Sequence, residues 1–278
     1  MRKVGGAFLV LALLAAGCGS FGNPSALERS LLFHPSRYPE GDWQPVDLLH
    51  EDAWFQADDG TRLHGWFCPA REPRAVVLFA HGNAGSVAGR KWSLRFLQEK
   101  MGVSVLGFDY RGFGRSEGTP SEAGILADAR AARRWLAQRT GIAEADIVLL
   151  GQSLGGAVAV DLAARDGARG LILENVFTSL QETASRHLWS SGSLVQTRLD
   201  SLGKIAAYHG PLLQTHGDAD RVIPFDLGKK LFDAANEPKR FVRVAGGGHN
   251  DPPSAEYRRA LDEFFAALAA PGPRGIDR

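Results

Sequence analysis

Gly151-Gln152-Ser153-Leu154-Gly155 sets a serine two residues from a glycine on either side. An apolar run ending at Leu150 precedes it, and a helix-like segment follows. A serine hydroxyl is a weak nucleophile until a neighbouring base takes its proton. On a tight strand-to-helix turn the hydroxyl stands clear of the backbone, and glycines fit where larger residues would collide. The amide of Leu154, at the helix N-terminus, then faces the place where a carbonyl oxygen gains charge. An acid and then a base follow such a serine in chain order. The later histidines are His187, His209, His216 and His249. His249 follows the last strand-like run and Gly246-Gly247-Gly248, so it is the expected base. His216 ends a strand-like run, and His187 and His209 fall in an irregular stretch. Asp218 and Asp220 both lie just past the preceding strand, and either could orient the histidine. These residue types support acyl transfer: attack on an ester, thioester or amide carbonyl, then release of the acyl-serine by water.

A second oxyanion donor is expected in the loop after the third strand. Here that loop reads His81-Gly82-Asn83-Ala84-Gly85, and the amide of Asn83 is the first choice, Gly82 the second. His81 is expected to brace the loop. The elements that must hold these residues follow from pattern. Ala53–Ala57 and Arg62–Phe67 flank Asp58-Asp59-Gly60, a hairpin signature. Unalternated apolar runs follow at Ala75–Ala80, Val103–Phe108, Asp146–Leu150, Gly170–Leu173, Pro211–Gln214 and Arg240–Val244. Such runs suit parallel strands covered on both faces. Helical stretches alternate with them. One opens at Thr119-Pro120-Ser121-Glu122, which reads as a capping box, and stops near Gly141. Others run from Gly155 to about Ala164, after Pro224, and over about Ser254–Leu268. The expected fold is α/β: a mostly parallel eight-stranded sheet with helices on both faces. Residues 178–208 break the strand rhythm and are the one place for a lid; Leu180, Leu188, Trp189, Leu194 and Val195 there could line an acyl pocket or simply pack.

Over roughly residues 50–270 the chain resembles the α/β-hydrolase family. The resemblance rests on Gly151–Gly155, and on His216-Gly217-Asp218-Ala219-Asp220-Arg221-Val222-Ile223-Pro224, which matches the family stretch HGxxDxx[VI]P. Phe108-Asp109-Tyr110-Arg111-Gly112-Phe113-Gly114-Arg115-Ser116 is similar to the family's D-x-R-G-x-G-x-S loop, which is structural. By the family pattern the acid falls on Asp220. The resemblance implies a serine hydrolase of ester or thioester bonds that needs no metal and no cofactor. The chain also resembles the subgroup of membrane-associated hydrolases and protein depalmitoylases. A serine peptidase or amidase would use the same three residues. A non-catalytic envelope binding protein would have no use for them. A metal hydrolase built on His216, Asp218, Asp220 and His249 lacks a recognisable zinc spacing.

The N-terminus reads as an address. Arg2 and Lys3 precede the apolar run Val4–Ala16, too short for the about 20 residues of a membrane span. Ala15-Ala16-Gly17-Cys18 resembles a bacterial lipobox, which implies a signal peptide over 1–17 and lipid on Cys18. Gly19 in place of aspartate implies the outer membrane, with secretion into the periplasm as the alternative. Residues 18–50 read as a connector with a short helix near Ala26–Phe33, residues 51–270 as the hydrolase domain, and 271–278 as a loose tail. Cys68 is expected as a buried small hydrophobe. The net charge of +1, with 44% hydrophobic residues and no block of like charge, excludes a disordered chain and a nucleic-acid binder.

Overall fold

The computed structural model describes residues 26–188 and 195–269. Eight strands form one sheet: β1 Glu51–Gln56, β2 Arg62–Cys68, β3 Val76–Ala80, β4 Ser104–Asp109, β5 Val148–Gln152, β6 Gly170–Glu174, β7 Leu212–Gly217 and β8 Lys239–Val244. Their order across the sheet is β8-β7-β6-β5-β3-β4-β2-β1. β1 and β2 run antiparallel to each other, β2 runs antiparallel to β4, and every other pairing is parallel. Gly60, at φ 81°, makes the turn of the β1–β2 hairpin, and Asp59 Oδ1 accepts the Thr61 amide at 3.1 Å.

Alternate residues along each central strand feed opposite faces. Leu78 and Leu106 join one core with α3 (Glu122–Thr140), α4 (Leu154–Asp166) and α7 (Phe225–Ala234). Val77, Phe79 and Leu150 join the other with α2 (Lys91–Arg95) and α8 (Ala255–Ala269). Both faces are covered, so strands β3 and β4 are buried throughout. Cys68 lies in the second core, and burial pushes its thiol up to about 12.

The structure adds three details to the pattern-based expectations. The first helical cap is Ser121, whose hydroxyl accepts the Gly124 amide at 3.1 Å; Pro120 stays outside the helix. Glu122 makes no reciprocal capping bond. Its carboxylate accepts the amides of Arg198 and Leu199 at 2.7 and 3.0 Å, and so ties a distant segment to α3. The connector is part of the fold from α1 (Ala26–Leu32) onward. His34–Pro35 pairs in parallel with Ala84–Gly85, and Phe33, Trp43 and Leu48 are buried. The stretch where a lid is expected holds α5 (Leu180–Leu188) and α6 (Leu202–Ile205). Glu182 pairs with Lys230 at 3.0 Å, and Arg186 with Asp226, so α5 is fastened to α7. Leu180 packs against the core. Trp189 and Leu194 lie outside the described residues, as do Cys18, the 1–17 segment and the 271–278 tail. Among the described residues no helix is long and apolar enough to cross a membrane.

Candidate active site

β5 ends at Gln152 and α4 begins at Leu154. Ser153 between them takes φ 53° and ψ −119°. That conformation costs a non-glycine residue about 1–3 kcal/mol and persists only where surroundings enforce it. The enforcement is visible. A Cβ on Gly151 would lie 2.3 Å from the Gly155 carbonyl oxygen, and one on Gly155 would lie 1.9 Å from that of Ala80. Only glycine lets strand, turn and helix approach so closely. The Ser153 amide donates to the Glu174 carbonyl at 2.9 Å, which locks the turn to β6.

The structure brings the expected base and acid to this serine. His249 Nε2 lies 3.1 Å from Ser153 Oγ, and His249 Nδ1 lies 2.7 Å from Asp220 Oδ2. A carboxylate at Nδ1 requires the proton there, so Nε2 carries the lone pair that faces the hydroxyl. Asp220 Oδ1 accepts the amides of Val222 and Ile223 at 2.8 and 2.9 Å. Burial pushes the Asp220 carboxyl up, but the His249 bond and these amides outweigh it and hold it below the usual range. Asp218 is turned away: it pairs with Arg243 at 2.9 Å and accepts the Gly246 amide at 2.7 Å. His216 stands behind Asp220, with Nε2 2.9 Å from the Ile223 carbonyl oxygen. Burial pushes its pKa down, so it is a neutral brace. His187 Nε2 meets the Val222 carbonyl at 2.9 Å, on the outer side of the same loop. Among the described residues no group of three or more His, Cys, Asp or Glu is arranged to hold a metal.

Leu154 is the first residue of α4, so its N–H has no acceptor within the helix. Gly82 approaches the serine closely, since a Cβ there would lie 3.5 Å from Ser153 Cβ. Asn83 is held from outside: its Nδ2 donates to the Leu32 carbonyl at 2.8 Å, and its carbonyl accepts the His34 amide at 2.9 Å. His81 is buried; Tyr110 Oη donates to its carbonyl at 2.9 Å, and its Nε2 lies 3.7 Å from Asp109. The Asp109–Ser116 loop is likewise internal bracing, with Arg111 donating to Asp128 at 2.8 Å.

Two features have no signature in the sequence patterns. One is the seating of the His81–Gly85 loop by Leu32 and His34, which needs a two-residue ladder too short to read as a strand. The other is Asn175, at φ 50° just past β6. Its carboxamide Nδ2 donates to the His249 carbonyl at 2.8 Å, and its Oδ1 accepts the Gly217 amide at 3.0 Å. An asparagine after a strand signals an ordinary turn, because asparagine tolerates positive φ. A cavity of about 760 Å³ opens between α2 and the loop entering α8; Ser153 and His249 themselves do not line it. Gln152, Gly248 and Asn250 line it next to Ser153 and His249, and Phe96 and Leu97 form an apolar wall. Tyr257 Oη donates to Glu174 in its floor at 2.6 Å, and burial pushes the Glu174 carboxyl up.

The family described as serine aminopeptidase, S33, matches residues 71–201. An uncharacterized protein of Mycobacterium tuberculosis is 39% identical over 257 residues, covering 91% of this chain and 90% of that one. The α/β-hydrolase domain-containing protein WAV2 of Arabidopsis thaliana is 36% identical, over 74% of each chain. This chain belongs to the α/β-hydrolase family. It is a hydrolase of that fold. The lysophosphatidylserine lipase ABHD12 of Danio rerio is 37% identical over 59% of this chain and 48% of its own. Among solved structures, the Pyrococcus furiosus esterase Pf2001 superposes with a TM-score of 0.72 at 20% identity, over 86% of this chain and 98% of that one.

Proposed function

We propose that this hydrolase cleaves carboxylic ester or thioester bonds through an acyl-enzyme on Ser153. The observation that carries the reading is the continuous line from Ser153 Oγ through His249 to Asp220. Ser153 attacks the carbonyl carbon as His249 Nε2 takes its proton. The imidazolium so formed is held and stabilised by Asp220. The amides of Leu154 and Asn83 take the oxyanion, and each such donor is worth about 10²–10³ in kcat in a comparable site. The imidazolium then protonates the leaving group. Water, activated by His249, releases the acid and restores the serine. The reaction needs no metal or cofactor. The Danio rerio relative is a lysophosphatidylserine lipase, which supports an ester substrate with an acyl chain.

Turnover of p-nitrophenyl esters from acetyl to palmitoyl tests this, with an aminoacyl p-nitroanilide run beside them. Ester hydrolysis that vanishes in Ser153→Ala supports the reading. Anilide cleavage without ester cleavage would move it to an amidase.

The amino-terminal segment carries a separate proposal: lipid on Cys18 holds the chain on the bacterial envelope, at the outer membrane. The lipobox-like Ala15-Ala16-Gly17-Cys18 supports it. Mass spectrometry of the mature N-terminus decides it, since an unmodified terminus sinks the anchor.

A further inference from the structure

We propose that Asn175 is the positioning residue that holds His249 in line between Ser153 and Asp220; this rests on the hydrolase reading above. The strand end Glu174-Asn175 touches all three loops that carry the site. The Glu174 carbonyl accepts the Ser153 amide at 2.9 Å. The Asn175 amide donates to the Thr215 carbonyl at 3.0 Å, and Asn175 Oδ1 accepts the Gly217 amide at 3.0 Å, three residues before Asp220. Asn175 Nδ2 donates to the main-chain carbonyl of His249 itself at 2.8 Å.

Gly246, Gly247 and Gly248 precede His249, and Pro252 and Pro253 follow. The glycines are tied to their neighbours: the Gly246 amide donates to Asp218 at 2.7 Å, the Gly247 amide to the Val244 carbonyl at 3.1 Å and the Gly248 amide to Asp251 at 2.7 Å, and the Gly247 carbonyl accepts the Ala219 amide at 3.0 Å. The Asn175 carboxamide is the tie on the main chain of His249 itself, and it fixes the base where the glycine run ends. Asn175 also holds φ 50°, a conformation asparagine adopts more readily than most residues. That turn aims the carboxamide across β7 at the histidine loop. The groups facing the imidazole are Ser153, Asp220 and, behind Asp220, His216. Asn175 touches none of the reacting atoms. It acts through the placement of His249.

Steady-state kinetics on a p-nitrophenyl ester test the assignment with two variants. Asn175→Gly keeps the backbone conformation and removes both side-chain bonds. Asn175→Asp keeps the acceptor for the Gly217 amide and sets a carboxylate oxygen against the His249 carbonyl. A shift of the base by about 1 Å costs about a hundredfold. The expected result is a fall in kcat of that order in both variants, with KM within about threefold. Both should remain folded by circular dichroism. Asn175→Asp should not rescue, because its retained bond is to the wrong loop. A kcat within twofold of wild type in folded Asn175→Gly overturns the positioning role and leaves the hydrolase reading intact. A loss carried by KM alone also overturns it. Absence of Ser153-dependent turnover in the wild-type protein overturns the hydrolase reading and this assignment with it.

Discussion

At the scale of single residues, two aspartates two positions apart serve different ends. Asp220 faces His249 and is solvated by two backbone amides, whereas Asp218 is spent on Arg243 and Gly246. Asp220→Asn should therefore cost about 10⁴ in kcat, the loss seen when a triad acid can no longer fix the histidine tautomer. Asp218→Asn should stay within a few-fold in the same ester assay. Glu174 makes a prediction about stability. An unfolded glutamate ionises near 4.3. Burial holds Glu174 protonated to higher pH in the native protein. Between those two values the folded state binds the extra proton, so stability falls as pH rises from about 4 toward the folded value. Glu174→Gln keeps an acceptor for Tyr257 and removes that slope. Its melting temperature relative to wild type should rise from pH 4 to pH 8, and a pH-independent difference would contradict the argument. Ser153, His249 and the acid loop could be read from residue types and chain order alone. The choice between Asp218 and Asp220 could not, because both fit the same loop and only side-chain direction separates them.

At the scale of elements, the nucleophile turn is a packing problem with a small set of answers. β5 must pass so close to α4, and α4 so close to β3, that Gly151 and Gly155 have no room for a Cβ. Gly155→Ala should push α4 away from β3 by the volume of one methyl group. The expected result is a melting temperature lower by several degrees and a strongly reduced rate of ester hydrolysis, both measurable in one preparation. Wild-type behaviour in both would mean that the close approach of Gly155 to Ala80 does not shape the turn. The strands were legible because apolar runs covered on both faces leave few other folds. Their ends were not: β7 runs on through Gln214, Thr215 and His216 to Gly217, all buried although polar. Gln214 Nε2 and His216 Nε2 bond backbone carbonyls from α7 and its approach, Gly228 and Ile223, and such partners come from tertiary packing. The Glu122 bonds to Arg198 and Leu199 are hidden for the same reason. A glutamate at a helix start reads as a cap, and nothing local says that a segment 76 residues away will take its oxygens.

At the scale of the whole molecule, the segment before β1 is a working part of the domain. Residues 26–50 bury Phe33, Trp43 and Leu48, and His34–Pro35 forms a ladder with Ala84–Gly85. Leu32 and His34 hold Asn83 in place. A chain that begins at residue 51 should lose stability and, where it still folds, hydrolyse esters far more slowly than one that begins at residue 19. Equal activity in the two would show that Asn83 needs no outside support. These pairings are not legible in the sequence, because short, proline-punctuated pairings have no period to detect.

Ser153 is proposed to be an activated nucleophile. A fluorophosphonate reacts with a serine only when a base and an oxyanion site activate it. Intact-mass analysis after such treatment, followed by peptide mapping, reads this directly without knowledge of the substrate. One adduct per chain is expected, mapped to Ser153, absent in Ser153→Ala and greatly slowed in His249→Ala. No adduct on the folded wild-type protein, or an adduct on another residue, would contradict it.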